Sequence, residues 1–282
     1  NTKTRIIISF NEVNFLKKLL INKKSSVICS LEQKVVLITE GSSGIGAATA
    51  KLFAKESAAV AIVGTDEAKL KVVAKCLVKL NAKTLVIVAD VAKDEDASVI
   101  VKTTVEKFGK LDVLVNNTGV LREAKFLAEN FLETYDKVMR DMRGIVRITY
   151  FATPHLIRTK GNIINVSSIA GSSNTRPSHI AYRASKAAMD NFTKSVALDV
   201  ATHGVRVNTI SPSLSCGSVF DNLKVKSEIF KNKTVLPKLS EPSEIADMIL
   251  YVASDKGKGI TGSNFWRKLQ LNDKTVSKHF LI

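Results

Sequence analysis

The sequence contains no uninterrupted run of eighteen apolar residues, so it offers no transmembrane helix of ordinary length. Cysteine is scarce. Cys29, Cys76 and Cys216 are far apart and odd in number, a pattern that provides neither a disulfide framework nor thiolate metal-ligand spacing, and no metal is expected. None has an obvious activating neighbour, so a cysteine nucleophile is not expected either. A reducing compartment, the cytoplasm, is the simplest expectation. Acidic residues are few beside basic ones, 26 against 42, for a net charge of +16. Residues 1–30 carry six basic residues and one acid, and residues 256–282 carry the same, leaving +6 for everything between. Basic tails attract anionic surfaces, but they are not a folded nucleic-acid site, and no nucleic-acid partner is expected.

Within the first thirty residues, Phe10, Val13, Phe15, Leu16, Leu19 and Leu20 interleave with Lys17 and Lys18. This pattern suits a basic amphipathic helix of the mitochondrial-targeting or membrane-surface kind. Arginine is scarce there for a transit peptide, and the favoured expectation is an extension without structure of its own. The chain of 282 residues, 45% hydrophobic and 24% charged, is sufficient for one large globular domain.

From residue 34 onward, short β-branched runs alternate with longer helical stretches. Strands are expected at 34–39, 59–63, 84–88, 111–115, 161–166 and 205–210, and helices at 45–56, 66–80, 94–108, 131–157, 179–202 and 241–254. Apolar runs of this length suit strands buried on both faces of a parallel sheet. The alternation predicts right-handed βαβ units in a doubly wound α/β domain, a Rossmann fold, over residues 31–265 with an atypical tail at 266–282. Ligands of such sheets bind beyond the carboxyl ends of the strands, so the residues just after each strand are the candidates.

The first strand runs into Thr39-Glu40-Gly41-Ser42-Ser43-Gly44-Ile45-Gly46, and a helix follows. Glycines at such a turn let the backbone approach a pyrophosphate, and the helix N-terminus offers free N–H groups and a positive dipole end. Asp90-Val91 follows the third strand, Asn116-Asn117-Thr118-Gly119 the fourth and Ser211-Pro212 the sixth. Asp90 could meet an adenine amino group, and Pro212 a nicotinamide ring. After the fifth strand come Ser167-Ser168, then Tyr182-Arg183-Ala184-Ser185-Lys186 opening a helix. Tyr182 and Lys186 are four residues apart and share a helix face. An ammonium beside a phenol is expected to lower the tyrosine pKa toward the working range, making Tyr182 a general acid/base.

Taken together, T-x-x-x-x-G-I-G at 39–46, N-N-x-G at 116–119, S-S at 167–168, Y-x-A-S-K at 182–186, R-V-N at 206–208 and I-T-G at 260–262 resemble the short-chain dehydrogenase/reductase family. The wording around the motifs is most similar to 3-oxoacyl-carrier-protein-reductase-like members. The resemblance implies hydride transfer between NAD(P)(H) and a ketone or secondary alcohol. It also implies proton exchange at Tyr182, a Lys186 that lowers the tyrosine pKa and binds nicotinamide ribose, a Ser168 that orients the carbonyl, and a homo-oligomer, dimer or tetramer.

Several positions depart from that pattern. Glu40 stands where the family has its first glycine. At positive φ it would cost about 1–2 kcal/mol, and its charge would repel a pyrophosphate by roughly 3 kcal/mol at ~5 Å and an effective dielectric of ~20. A local shift at Gly41 is expected to relieve the strain. Asp141 falls nearest the place of a family asparagine and is expected to hold a water for proton relay. Thr118 replaces an alanine, tolerable if its hydroxyl finds a partner. Gly64 occupies the position of the acid that binds ribose 2′-OH in NAD-preferring members, while Asp66 comes late and suits a helix cap. NADP(H) is therefore expected over NAD(H). Residues 214–236, with Phe220 and Phe230, are expected to form an apolar lid favouring a hydrophobic substrate. Glu40, the lost asparagine and the altered tail motivate an alternative, a cofactor-binding paralogue with little turnover acting as a scaffold.

Overall fold

A computed structural model of the chain describes residues 31–172, 177–213 and 240–267. The N-terminal extension, the lid segment, Cys29, Cys216 and the tail beyond 267 lie outside the described residues. The core of the fold is one seven-stranded parallel sheet in the order β3-β2-β1-β4-β5-β6-β7. Its strands are β1 (Val35–Ile38), β2 (Ala59–Gly64), β3 (Thr84–Val88), β4 (Val113–Asn116), β5 (Asn162–Val166), β6 (Arg206–Pro212) and β7 (Asn264–Arg267). The helices are α1 (Gly44–Lys55), α2 (Glu67–Lys79), α3 (Asp96–Phe108), α4 (Phe131–Thr159), α5 (Ile180–Val200) and α6 (Pro242–Ala253). The doubly wound α/β expectation is met.

Side chains of β1 alternate between two apolar cores, as the period of a strand requires. Val36 and Ile38 pack with Phe53 of α1, Leu70 and Leu77 of α2 and Ile249 of α6. Val35 and Leu37 face the other way, toward Ile100 of α3, Ile148 and Leu156 of α4 and Val200 of α5. A sheet covered on both faces has no use for polar alternation, which is why its strands read as continuous apolar runs.

The expected strands keep within two residues of their predicted bounds, and two differences have a physical reason. β4 starts at Val113 because Asp112 is committed elsewhere: its carboxylate accepts from Val35 N–H at 2.9 Å and pairs with Lys34 and Lys110. β7 was not anticipated. It pairs Thr209 with Asn264 through Pro212 with Arg267, so sheet pairing continues through Trp266 and Arg267.

The strand order turns outward in both directions from the β1/β4 pair, which opens a crevice at their carboxyl ends. A buried polar chain stiffens this half of the sheet. Asn116 Nδ2 donates to Thr149 Oγ1 at 2.9 Å and to Asn165 Oδ1 at 2.8 Å. Asn165 Nδ2 donates to Thr193 Oγ1, also the acceptor for Thr209 Oγ1, each at 2.8 Å. Strands β4, β5 and β6 are thus tied to α4 and α5 through side chains. Among the described residues, no helix is long and apolar enough to cross a membrane.

Candidate active site

The strand ends bring the expected residues to one edge of the sheet. Thr39 follows β1, Asp90 and Val91 follow β3, Asn117 and Gly119 follow β4, Ser168 follows β5, and Pro212 ends β6. At the phosphate turn, Ser43 is the N-cap of α1, makes no side-chain capping bond, and no acid occupies the first turn. The helix end is therefore open to an anion. Gly46 lies so close to the turn that a Cβ there would stand 2.2 Å from the Glu40 carbonyl oxygen; only glycine permits that approach. Ser42, Gly44 and Ile45 complete the turn, and these features fit a pyrophosphate.

Thr39 joins the turn to the β4 loop. Its Oγ1 accepts from Asn117 N–H at 2.9 Å and from the Thr118 hydroxyl at 2.8 Å. The Thr118 hydroxyl thus has its partner. Asp90 is less available than expected, because its Oδ1 accepts from Ala92 N–H at 3.0 Å in a local turn. Val91 is buried, with its carbonyl facing α4 at Gly144, where a Cβ would come within 2.2 Å. At the end of β2, Asp66 caps α2 by accepting from Lys69 N–H at 3.0 Å.

Tyr182 and Lys186 sit in the first turns of α5 and, with Asp141, Thr118 and Gly119, line a narrow pocket. The Ser168 hydroxyl faces the Tyr182 phenol closely enough to favour the phenolate. Ser168 Oγ also accepts from Ala170 N–H at 3.2 Å, which leaves its own proton free to point at the phenol. Lys186 Nζ stands 5.6 Å from the centre of the Tyr182 ring and donates to the Val166 carbonyl at 3.0 Å.

The expected acidification of Tyr182 is not what the structure gives. Burial pushes the phenol above its ordinary 10; the Ser168 hydroxyl opposes this and the Glu40 charge adds to it. The Lys186 proton is directed at a backbone carbonyl, and desolvation outweighs any help its charge offers the phenolate. Lys186 itself is pushed down to about 8 by burial, against the pull of Glu40, Asp190 and Asp141.

Glu40 also departs from expectation. It takes φ = 48° itself, so Gly41 does not absorb the strain. Its side chain turns inward, and Oε1 accepts from Gly119 N–H at 3.4 Å. Burial raises its carboxyl from 4.5 to about 7. Asp141 lines the pocket as expected, but its carboxylate is engaged by Arg122 Nη1 at 2.8 Å. Sequence reasoning missed Arg122, which lies in an irregular loop with no motif. It also missed Asp190, a carboxyl raised by burial; its spacing of four residues from Lys186 on α5 was the available signal.

Comparison with known proteins agrees with this geometry. The family described as enoyl-(acyl carrier protein) reductase matches residues 40–267. A 3-oxoacyl-(acyl-carrier-protein) reductase of Thermotoga maritima is 34% identical over 235 residues, 82% of this chain and 95% of the relative. An L-fucose dehydrogenase of Bos taurus is 31% identical over 230 residues, 79% of this chain and 83% of the relative. Among solved structures, a short-chain dehydrogenase/reductase of unknown function from Caenorhabditis elegans, with cofactor, superposes with a TM-score of 0.79. It is 30% identical and covers 84% of this chain and 94% of its own. With the phosphate turn, Ser168 facing Tyr182 and Lys186 one helical turn away, these likenesses show that the chain belongs to the short-chain dehydrogenase/reductase family of NAD(P)-dependent oxidoreductases.

Proposed function

We propose that this chain reduces a ketone of the 3-oxoacyl type, or oxidises the matching secondary alcohol, using NADP(H) in preference to NAD(H). The observation that carries the reading is the gathering of Tyr182 and Lys186 with Thr118 and Gly119 around one pocket at the carboxyl edge of the sheet. A bound dinucleotide supplies or accepts the hydride. Tyr182 exchanges the proton with the substrate oxygen, and Ser168 orients that oxygen by hydrogen bond. Because burial holds Tyr182 above its ordinary pKa, the phenol is protonated at neutral pH, the form that donates to a carbonyl. Lys186 supplies positive charge beneath the ring.

Support for the substrate class comes from the 3-oxoacyl reductase among the relatives. Support for NADP(H) comes from β2, which ends in Gly64 and offers no carboxylate to a ribose 2′-OH, while Asp66 is occupied as a cap. One observation favours a second reading, a binding scaffold with little turnover: the Glu40 carboxyl lies against Gly119 inside the same cleft.

The test follows NADPH and NADH oxidation with diketones and 3-oxoacyl thioesters. Tyr182→Phe is expected to lose about 10²–10⁴-fold in turnover while still binding dinucleotide. Undiminished turnover in that variant would remove Tyr182 from the chemistry. Tight binding without turnover on any substrate would favour the scaffold.

A further inference from the structure

Glu40 touches both halves of the cleft. Its backbone carbonyl forms the wall against which Gly46 of the phosphate turn packs, and it accepts from Asn117 Nδ2 at 3.4 Å. Its carboxyl reaches the backbone N–H of Gly119. Gly119 in turn abuts the lysine so closely that a Cβ there would stand 2.6 Å from Lys186 Nζ. The carboxyl and the ammonium therefore flank one residue. The charged and titratable groups that face Glu40 are Lys186 and Tyr182 from α5, Asp141 from α4 and Arg122 from the loop before α4.

We infer that Glu40 is a titratable gate on the dinucleotide cleft: its carboxyl takes up a proton when the cofactor binds, so affinity falls as pH rises. The inference rests on the dinucleotide-binding reading and adds a determinant of affinity to it. A dinucleotide carries two phosphates. An ionised carboxyl on Glu40, whose backbone belongs to their turn and whose Oε1 rests on Gly119 N–H, opposes them, whereas a protonated one does not. The carboxyl's displacement from 4.5 to about 7 puts this titration in the neutral range. With Glu40 in place, Lys186 is held up by its charge; when Glu40 is neutral, that ammonium is left for the incoming anion.

The test compares the affinity of the full chain for NADPH and NADH, by dinucleotide fluorescence, at about pH 6 and about pH 8 in wild type and Glu40→Gln. Glutamine stands in for the protonated acid. Equal affinities are expected at the lower pH, and about tenfold tighter binding by Glu40→Gln at the higher, since one pH unit above the titration leaves about a tenth of the acid protonated. Calorimetry in two buffers of different ionisation enthalpy should show wild type taking up nearly one proton at about pH 8. Lys186→Met removes the other group titrating nearby; without that ammonium the Glu40 titration moves to higher pH, and the uptake is expected to persist there. Glu40→Gly, free of backbone strain, serves if Glu40→Gln does not fold. Equal affinities of wild type and the Glu40 variant at the higher pH overturn the inference, as does absence of the uptake in Lys186→Met at every pH up to about 10. If no form binds either dinucleotide, the oxidoreductase reading fails with it; binding without the proton linkage sinks the gate alone.

Discussion

Arg122 donates to Asp141 at 2.8 Å in the wall of the pocket that holds Tyr182 and Lys186. The carboxyl of Asp141 is raised by burial even with the guanidinium beside it. Replacing Arg122 with alanine leaves that carboxyl without its cation, at an expected cost of about 1–3 kcal/mol. The penalty applies to the ionised form, so it should be largest at neutral pH and fade as acid protonates Asp141. Thermal melts of Arg122→Ala and wild type at about pH 5 and about pH 8 check this; a loss independent of pH would show that the ion pair is not its source.

Glu40→Gly should stabilise the fold in two separable ways. Relief of the left-handed backbone is expected to give about 1 kcal/mol at every pH, or roughly 2–4 °C in Tm for a domain of this size. The second contribution depends on pH. The folded-state pKa of Glu40 is raised from 4.5 to about 7, so wild type loses stability as pH rises through that interval, with the loss complete above it. The gain in Glu40→Gly should therefore be only the backbone contribution near pH 4 and greater near pH 8. Glu40→Gln should show only the pH-dependent part, and melts of the three proteins across that range separate the two contributions.

Gly64 is a position where cofactor choice can be altered. It ends β2, and the nearest atoms to a Cβ there would be Ser42 Oγ at 3.6 Å and Leu70 at 3.7 Å, ordinary contacts. Gly64→Asp should therefore be tolerated, and its carboxylate should repel a 2′-phosphate. At ~5 Å and an effective dielectric of ~20 the repulsion is roughly 3 kcal/mol per unit charge, about 100-fold in the ratio of the NADPH and NADH dissociation constants. An unchanged ratio would mean that the ribose does not lie at the end of β2.

Much of this architecture was legible because the strands are buried on both faces. The run Val35–Ile38 is covered completely, so its apolar character needed no context to read. β7 escaped notice because an edge strand of Asn, Phe, Trp and Arg has no such run. The order of the motifs along the chain was enough to gather Thr39, Gly119, Ser168 and Tyr182 at one edge, since every strand of a parallel sheet ends there. What could not be read was the environment of each group. The sequence places an ammonium four residues from a phenol, but only packing tells that the phenol is enclosed and the ammonium turned to the Val166 carbonyl. The inward turn of Glu40 and the reach of Arg122 to Asp141 are likewise consequences of loop geometry, set by contacts remote in sequence.

The single side-chain oxygen of Thr39 receives two hydrogen bonds from consecutive residues of the β4 loop. The walls of the crevice are thereby fastened to one atom. The gap between phosphate turn and loop is fixed before any nucleotide arrives, and it cannot widen without breaking those bonds. A hydroxyl of this kind works as a rivet: it joins the two loops at their roots, independently of the charges that decide how tightly a guest is held.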